Sequence, residues 1–269
     1  FAQGFGMFQR LAGGRNSSLH VAEAASAWFD SAVAATPTKP FFLYLHTVDP
    51  HAPYRPAPAF RERLAERVRR LEVGTLAFLR RLGVGREPVT AKILSDLVDL
   101  YDAEVAENDA GFGKLIDDLR RRHLLESTVI VLVSDHGEEF HEHGGFEHGS
   151  TLYQDQLHVP LIVRAPGFSS GRRTSAVVQQ IDLFPTLLDL TGVAADVPGQ
   201  SLRPLLVDVD GGDGKPFPEV RELVATMDVD QVVKSSLVRW PWKLVRHERG
   251  PQEGTRSLFD LSRDPTEQL

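Results

Sequence analysis

The sequence predicts an α/β fold in which a largely parallel sheet lies between helices, with a small antiparallel subdomain at the C-terminal end. Three observations predict it. Two nearly continuous apolar runs, FFLYLHTV (residues 41–48) and STVIVLVS (residues 127–134), have the length and composition of strands buried on both faces. Segments of helical period lie between and around them, and strands alternating with helices close into a parallel sheet covered on both sides. The last fifth of the chain differs: ELVATMD, VVKSSLVRW, KLVRHE and SLFDLS are short extended runs separated by turn-forming breaks, the pattern of an antiparallel sheet.

Taken in order, residues 17–35 place Val21, Ala24, Ala25, Trp28, Ala32 and Val33 near a helical period, with Ser17 or Ser18 as cap. Pro37 and Pro40 close the loop that leads into the first strand. Four prolines from Pro50 to Pro58 stiffen the next loop, at the carboxyl end of that strand, where α/β sheets place ligand contacts. Residues 60–81 read as a basic helix of alternating charge with a solvated face. After the break GVGREPVT, residues 91–122 carry Leu94, Leu97, Val98, Tyr101, Val105, Phe112, Leu115, Ile116 and Leu119 on one face, which leaves Asp99, Asp102 and Glu104 outside or at its edge. Residues 158–166 read as another strand, and residues 182–192 as a helix ended by Gly192. The stretch VDVDGGDGKPFPE leads into the antiparallel runs, so residues 1–207 are expected to form the main domain and residues 208–269 the small one.

Composition narrows the functional classes. A chain of 269 residues, 42% apolar and 25% charged, buries a sizeable core in the ordinary way. Thirty basic against 37 acidic side chains give a net charge of −7, so nucleic-acid binding has no electrostatic support and an anionic substrate needs a local positive site. The lack of cysteine excludes disulfides, thiolate metal ligands and a cysteine nucleophile within these residues. No apolar run approaches the roughly 18 residues that span a bilayer. Neither a G-x-x-x-x-G-K nor a G-x-S-x-G motif occurs. The chain starts without Met or a signal-peptide pattern, as a piece of a longer protein would, and leaves its compartment open.

The chemistry concentrates in DHGEEFHEHGGFEH (residues 135–148), which holds four of the ten histidines and five acids. Asp135 and His136 stand one step past a strand, where a carboxylate oxygen and an imidazole nitrogen can reach one divalent ion. An Asp capping the next helix beside a surface His is the plainer reading of the same pair. Context favours the ion: Gly137 permits a sharp turn, and Gly144, Gly145 and Gly149 let the backbone wind closely while His148 returns towards the strand end. His141 and His143 read as solvated loop residues or partners of the ligands. His51, in the proline-stiffened loop, can donate to an anionic ester oxygen or protonate a leaving group. His46 reads as a core histidine, and Glu138 and Glu139 as first-turn acids.

Five segments resemble, in the same order, the later part of a sulfatase of the alkaline-phosphatase superfamily. They are FFLYLHTVDPHAPY, the long stretch from YDAEVAEND to LIVRAPG, IDLFPTLLDLTGV, GQSLRPLL and LFDLSRDPTEQL, which together cover nearly the whole chain from about Phe41. The resemblance implies the alkaline-phosphatase-like fold with its N-terminal strands absent from these residues, and hydrolysis of a sulfuric ester. It implies a divalent metal, usually calcium, with Asp135 and His136 among its ligands. Histidine at the second of these positions is similar to phosphonate monoester and phosphodiester hydrolases and to phosphoethanolamine transferases, which keeps those substrates, and manganese or zinc, as alternatives. His51 matches the histidine that contacts the ester, and His148 falls where many members place a sulfate-binding lysine, so both are expected to be catalytic. The family's nucleophile is a formylglycine made from the Cys or Ser of a C/S-x-P-x-R signature. No such signature occurs here; it and two further metal-binding acids are expected upstream of Phe1, and these residues alone are expected to be inactive. The expected partner is a small-molecule or glycan sulfate ester, with no nucleic acid and no membrane segment. A non-catalytic domain that keeps the fold is the remaining alternative.

Overall fold

A computed structural model describes residues 3–11, 17–36, 38–168, 171–206, 217–218 and 220–269. The chain divides into two units, residues 1–126 and 127–269. In the first, α1 (Ser18–Trp28) forms where its period predicts. It buries Val21, Ala22 and Ala25 and runs into a π-helical turn that buries Phe29. Then follow α2 (Pro58–Leu64), α3 (Leu76–Gly83) and α4 (Ala91–Arg121), and both α1 and α2 pack on α4. The Thr90 hydroxyl caps α4, accepting from the Ile93 N–H at 3.3 Å.

The buried face of α4 is not the expected one. Ile93, Leu97, Leu100 and Ala103 are inside, but Val105 is exposed, whereas Glu104 and Glu107 are buried. A buried carboxylate must find donors. Glu104 accepts from the Arg55 N–H, Glu107 from the Ala57 N–H at 2.8 Å, and Asn108 donates to the Asp49 carbonyl at 2.7 Å. One helix thereby holds the proline-rich loop around His51, and that work puts acids in core positions.

The α1–α4 crossing is close. Ser18 Oγ donates to the Glu107 carbonyl at 2.9 Å, and a Cβ on Gly111 would collide with Ser18. Gly111→Val is therefore expected to destabilise the protein by about 1–3 kcal/mol through overpacking. Urea denaturation checks this, and an unchanged midpoint would mean that α1 yields without cost.

Two expectations for this unit are corrected. The basic stretch 60–81 is not one helix: between α2 and α3 the chain turns back so that the Tyr54 N–H donates to the Gly74 carbonyl at 2.8 Å, with no space for a side chain on Gly74. Residues 41–48 alternate between half-buried and exposed, with Phe42 65% exposed, and form no ladder among the described residues. Phe41 packs on Trp28 and Phe29 at ring-centroid distances of 5.6 and 5.7 Å, while His46 lies on the exposed side, stacked on Tyr44. Apolar letters report affinity for burial but supply no hydrogen-bonded neighbour, which is what makes a strand.

In the second unit, β1 (Ile130–Val133) and β4 (Leu161–Arg164) form where the apolar runs predict. They pair antiparallel, with Ile130 opposite Arg164 and Val133 opposite Leu161. Every ladder among the described residues is antiparallel, so this chain's own strands do not draw the parallel pairing; a buried run does not encode its neighbour's direction. Between them lie β2 (Glu139–Phe140), β3 (Phe146–Glu147) and α5 (Gln154–Leu157). α6 (Leu183–Leu190) ends at Thr191, with Gly192 in the left-handed region at φ 73° as its position predicts.

The C-terminal runs form the expected antiparallel sheet, β5 (Leu223–Val229), β6 (Val232–Arg239), β7 (Trp242–Arg249) and β8 (Arg256–Asp260), each paired with the next. Val245, Phe259 and Leu261 form a buried cluster there, with Tyr153 and Val238 against it. The expected boundary at residues 207/208 lies outside the described residues. Asp182, at the head of α6, is wholly buried and binds Arg221 through two hydrogen bonds of 2.6 and 2.9 Å. It also accepts from the N–H groups of Gln179 and Gln200 at 2.8 and 2.9 Å.

Candidate active site

The loop from β1 to α5 carries most of the sequence-predicted site. No helix follows Asp135 directly, since the next element is β2, so Asp135 is not a helix cap. Its backbone is fixed: Gln180 Nε2 donates to the carbonyls of Ser134 and Asp135 at 2.7 and 3.0 Å, and Ser134 Oγ donates to the His136 carbonyl at 2.6 Å. The side chains reach outwards, 72% exposed for Asp135 and 37% for His136, with Asp135 Oδ1 and His136 Nε2 3.7 Å apart. His136 Nδ1 lies 2.8 Å from the Gly137 carbonyl. A carbonyl only accepts, so Nδ1 carries the proton and Nε2 keeps the lone pair of the neutral ring. A carboxylate oxygen and an imidazole nitrogen so placed fit two ligands of one divalent ion.

His148 joins this pair. Its ring stacks on that of His136 with centroids 3.8 Å apart, and its Nδ1 lies 2.9 Å from Oε1 of the buried Glu138. The hydrogen bond to Glu138 raises the pKa of His148 above the usual imidazole value, against partial burial, which acts the other way. Both ends of the loop are pinned to Gln156: the Gly137 N–H donates to its carbonyl at 2.8 Å and the Gly149 N–H to its Oε1 at 2.9 Å. Gly137 lies against the Asp155 carbonyl, where a Cβ would collide. His51 belongs to the first unit, half-buried on the loop that α4 holds, with Nδ1 2.6 Å from the Ala52 carbonyl.

Sequence reasoning missed a second cluster. His143 is not a solvated loop residue: it stacks on Tyr153 at 3.7 Å, and its Nδ1 and Nε2 lie 3.3 Å from Asp155 Oδ2 and 3.2 Å from the Glu267 carbonyl. Glu139, read from sequence as a first-turn acid, is a buried residue of β2 that accepts from the N–H groups of His143 and Gly145 at 3.1 and 2.6 Å. Burial raises the Asp155 pKa, and the contact with His143 opposes it. Ligand atoms of Glu139, His143 and Asp155 lie within 4.8 Å of one another, a set that can hold a divalent cation. Here His143 Nδ1 faces Asp155 Oδ2, and the Glu139 carboxylate is held by the two backbone N–H groups and by Gln156 Nε2 at 3.4 Å. The signal in sequence was faint, because Glu267 lies 124 residues from His143.

Among the described residues no helix is long and apolar enough to cross a membrane. The Sulfatase family profile matches residues 10–193, and the profile of the N-sulphoglucosamine sulphohydrolase C-terminal region matches residues 141–269. Arylsulfatase K of Xenopus laevis is 34% identical over 186 residues, which cover 67% of this chain and 34% of the relative, so the chain spans about a third of the length of the curated relatives it matches. A structure solved in complex with its substrate D-glucosamine-2-N,6-O-disulfate superposes with a TM-score of 0.73 at 20% identity, over 93% of this chain and 64% of that one. The phosphonate monoester hydrolase of Agrobacterium radiobacter superposes with a TM-score of 0.71 at 20% identity, over 96% and 59%. These likenesses show an alkaline-phosphatase-like fold. Because the Sulfatase profile matches well over half of its residues, the chain belongs to the sulfatase family, whose members are generally metal-dependent.

Proposed function

We propose that the full-length protein is a metal-dependent sulfuric ester hydrolase and that this chain supplies the later part of its active site. The observation that carries the reading is the Asp135–His136 pair, exposed past the end of β1 with His148 stacked upon it, inside the stretch matched by the Sulfatase profile. Asp135 and His136 would hold the ion through a carboxylate oxygen and Nε2. Calcium is the family expectation, and the imidazole also suits manganese or zinc. When bound, the ion supplies Lewis acidity to the ester oxygens. His148, held by Glu138 in a setting that favours its cationic form, neutralises negative charge building on those oxygens. His51, on its anchored loop, donates to the ester oxygen or the leaving group. No C/S-x-P-x-R signature occurs in these residues, so the proposal assigns the formylglycine to a segment outside them.

A sulfated sugar is the substrate class best supported, by the match to the N-sulphoglucosamine sulphohydrolase C-terminal profile and by a structural neighbour solved with a disulfated glucosamine. The second reading, a phosphonate monoester or phosphodiester hydrolase, is favoured by the histidine at position 136. The full-length protein is expected to turn over an aryl sulfate with kcat/KM at least about tenfold above that for the matching phosphodiester and phosphonate monoester, a margin that differential transition-state binding readily supplies. A preference for the phosphorus substrates would replace the first reading with the second. No turnover of either, together with a reading frame that lacks C/S-x-P-x-R, would leave a non-catalytic domain.

A further inference from the structure

We propose that the C-terminal segment is a working part of the active site, with Lys243 and Glu267 as positioning residues that hold the 135–149 loop in place. For its catalytic consequence this rests on the sulfatase reading. Lys243 on β7 and Glu267, two residues from the last, have side chains with 0% exposure and Nζ 2.8 Å from Oε1. Two charges taken fully out of water are held only where further hydrogen bonds satisfy them. Those bonds converge on Gln154 of α5, and the main chain beside Glu267 meets the loop. Glu267 Oε2 accepts from the Gln154 N–H at 2.6 Å, Lys243 Nζ donates to Gln154 Oε1 at 3.3 Å, and the Glu267 carbonyl faces His143 Nε2 at 3.2 Å. Gln268 Nε2 donates to the Glu142 carbonyl at 2.9 Å.

The relay continues inward. Asp155 faces His143 at 3.3 Å, and Gln156 receives the Gly137 and Gly149 N–H groups at 2.8 and 2.9 Å. Gly137 follows His136 and Gly149 follows His148, so each histidine sits one residue from an atom fixed by α5. The short helix α5 is in turn fixed by the buried ion pair. Were the pair only an anchor for the sheet, its bonds would run along β7 and β8 rather than out to α5.

The test combines hydrogen–deuterium exchange with steady-state kinetics on the full-length protein, comparing wild type with Glu267→Gln and Lys243→Met. Val233→Ala, at a half-buried position of β6 opposite Arg249, serves as a control that weakens the same sheet away from the relay. In both charge variants, exchange across residues 135–149 is expected to accelerate about tenfold or more while β1 stays protected, since loss of supporting hydrogen bonds opens the structure locally. For an aryl sulfate, kcat is expected to fall about 10–100-fold, the usual cost of losing groups that orient catalytic side chains, with KM little changed. Val233→Ala, even with an equal loss of melting temperature, is expected to keep kcat. Unchanged loop exchange in Glu267→Gln, acceleration spread evenly over the sheet, or an equal kcat loss in Val233→Ala would each overturn the proposal. If both charge variants fail to fold, the exposed Gln268→Ala decides: faster exchange at residues 141–145 supports the relay and unchanged exchange overturns it. Exchange needs no turnover, so a wild type without sulfatase activity would sink the sulfatase reading and leave the coupling measured separately.

Discussion

Asp135→Ala in the full-length protein is expected to lower kcat/KM for a sulfate ester by about a hundredfold or more, the scale of loss when a group that stabilises transition-state charge is removed. The bound divalent ion is expected to be lost with it. His136→Ala should behave alike, and because the two side chains lie 3.7 Å apart and are proposed to share one ion, the double variant should lose scarcely more than either single one. Asp135 is largely exposed, so once a chelator has stripped the ion from wild type and Asp135→Ala, which removes its stabilising effect from the comparison, their melting temperatures should nearly coincide. Metal content of the purified protein, measured by mass spectrometry, checks the prediction without an assay. Full metal occupancy with full activity in Asp135→Ala would remove this residue from the site.

The second large effect concerns stability. Arg221→Met is expected to destabilise the protein by about 3–5 kcal/mol, because it strands a fully buried carboxylate. Burial alone would raise the Asp182 pKa, but the Arg221 guanidinium and the N–H groups of Gln179 and Gln200 together hold it below the usual carboxylate value. A depressed carboxylate contributes stability that is fully present above its unfolded pKa of about 3.9 and is lost as pH falls through the lower, folded value. The gap in urea midpoint between wild type and Asp182→Asn is therefore expected to be widest near neutrality and to close in acid, below about pH 4. A gap independent of pH would show that the ionised form of Asp182 does not carry the effect.

Much of the secondary structure was legible because local periodicity and local breaks carried it. Helices α1, α4 and α6 follow from apolar spacing and terminal signals such as the break GVGREPVT and Gly192, and β5 to β8 follow from short extended runs between turns. Glu104 was misplaced because helical periodicity sorts residues by hydropathy, whereas it and Glu107 are buried by the backbone donors of a loop some 50 residues earlier. Of the two readings of His143, the solvated one failed for the same reason. The neighbours of His143 in sequence are polar and suggest solvent, while Asp155, Tyr153 and Glu267 enclose it.

By itself the sequence determined the α/β class, the C-terminal sheet, the likeness to sulfatases, and the placing of Asp135 and His136 just past a strand. Each of these depends on residues close together in the chain or on an ordered set of segments. Only the tertiary structure decided that β1 and β4 run antiparallel, that His148 stacks on His136, and that Lys243 and Glu267 meet each other and Gln154 of α5. The physical reason is the same in each case. A strand's direction, a ring's stacking partner and a buried charge's counter-charge are properties of pairs brought together by folding, and neither residue of the pair carries them alone.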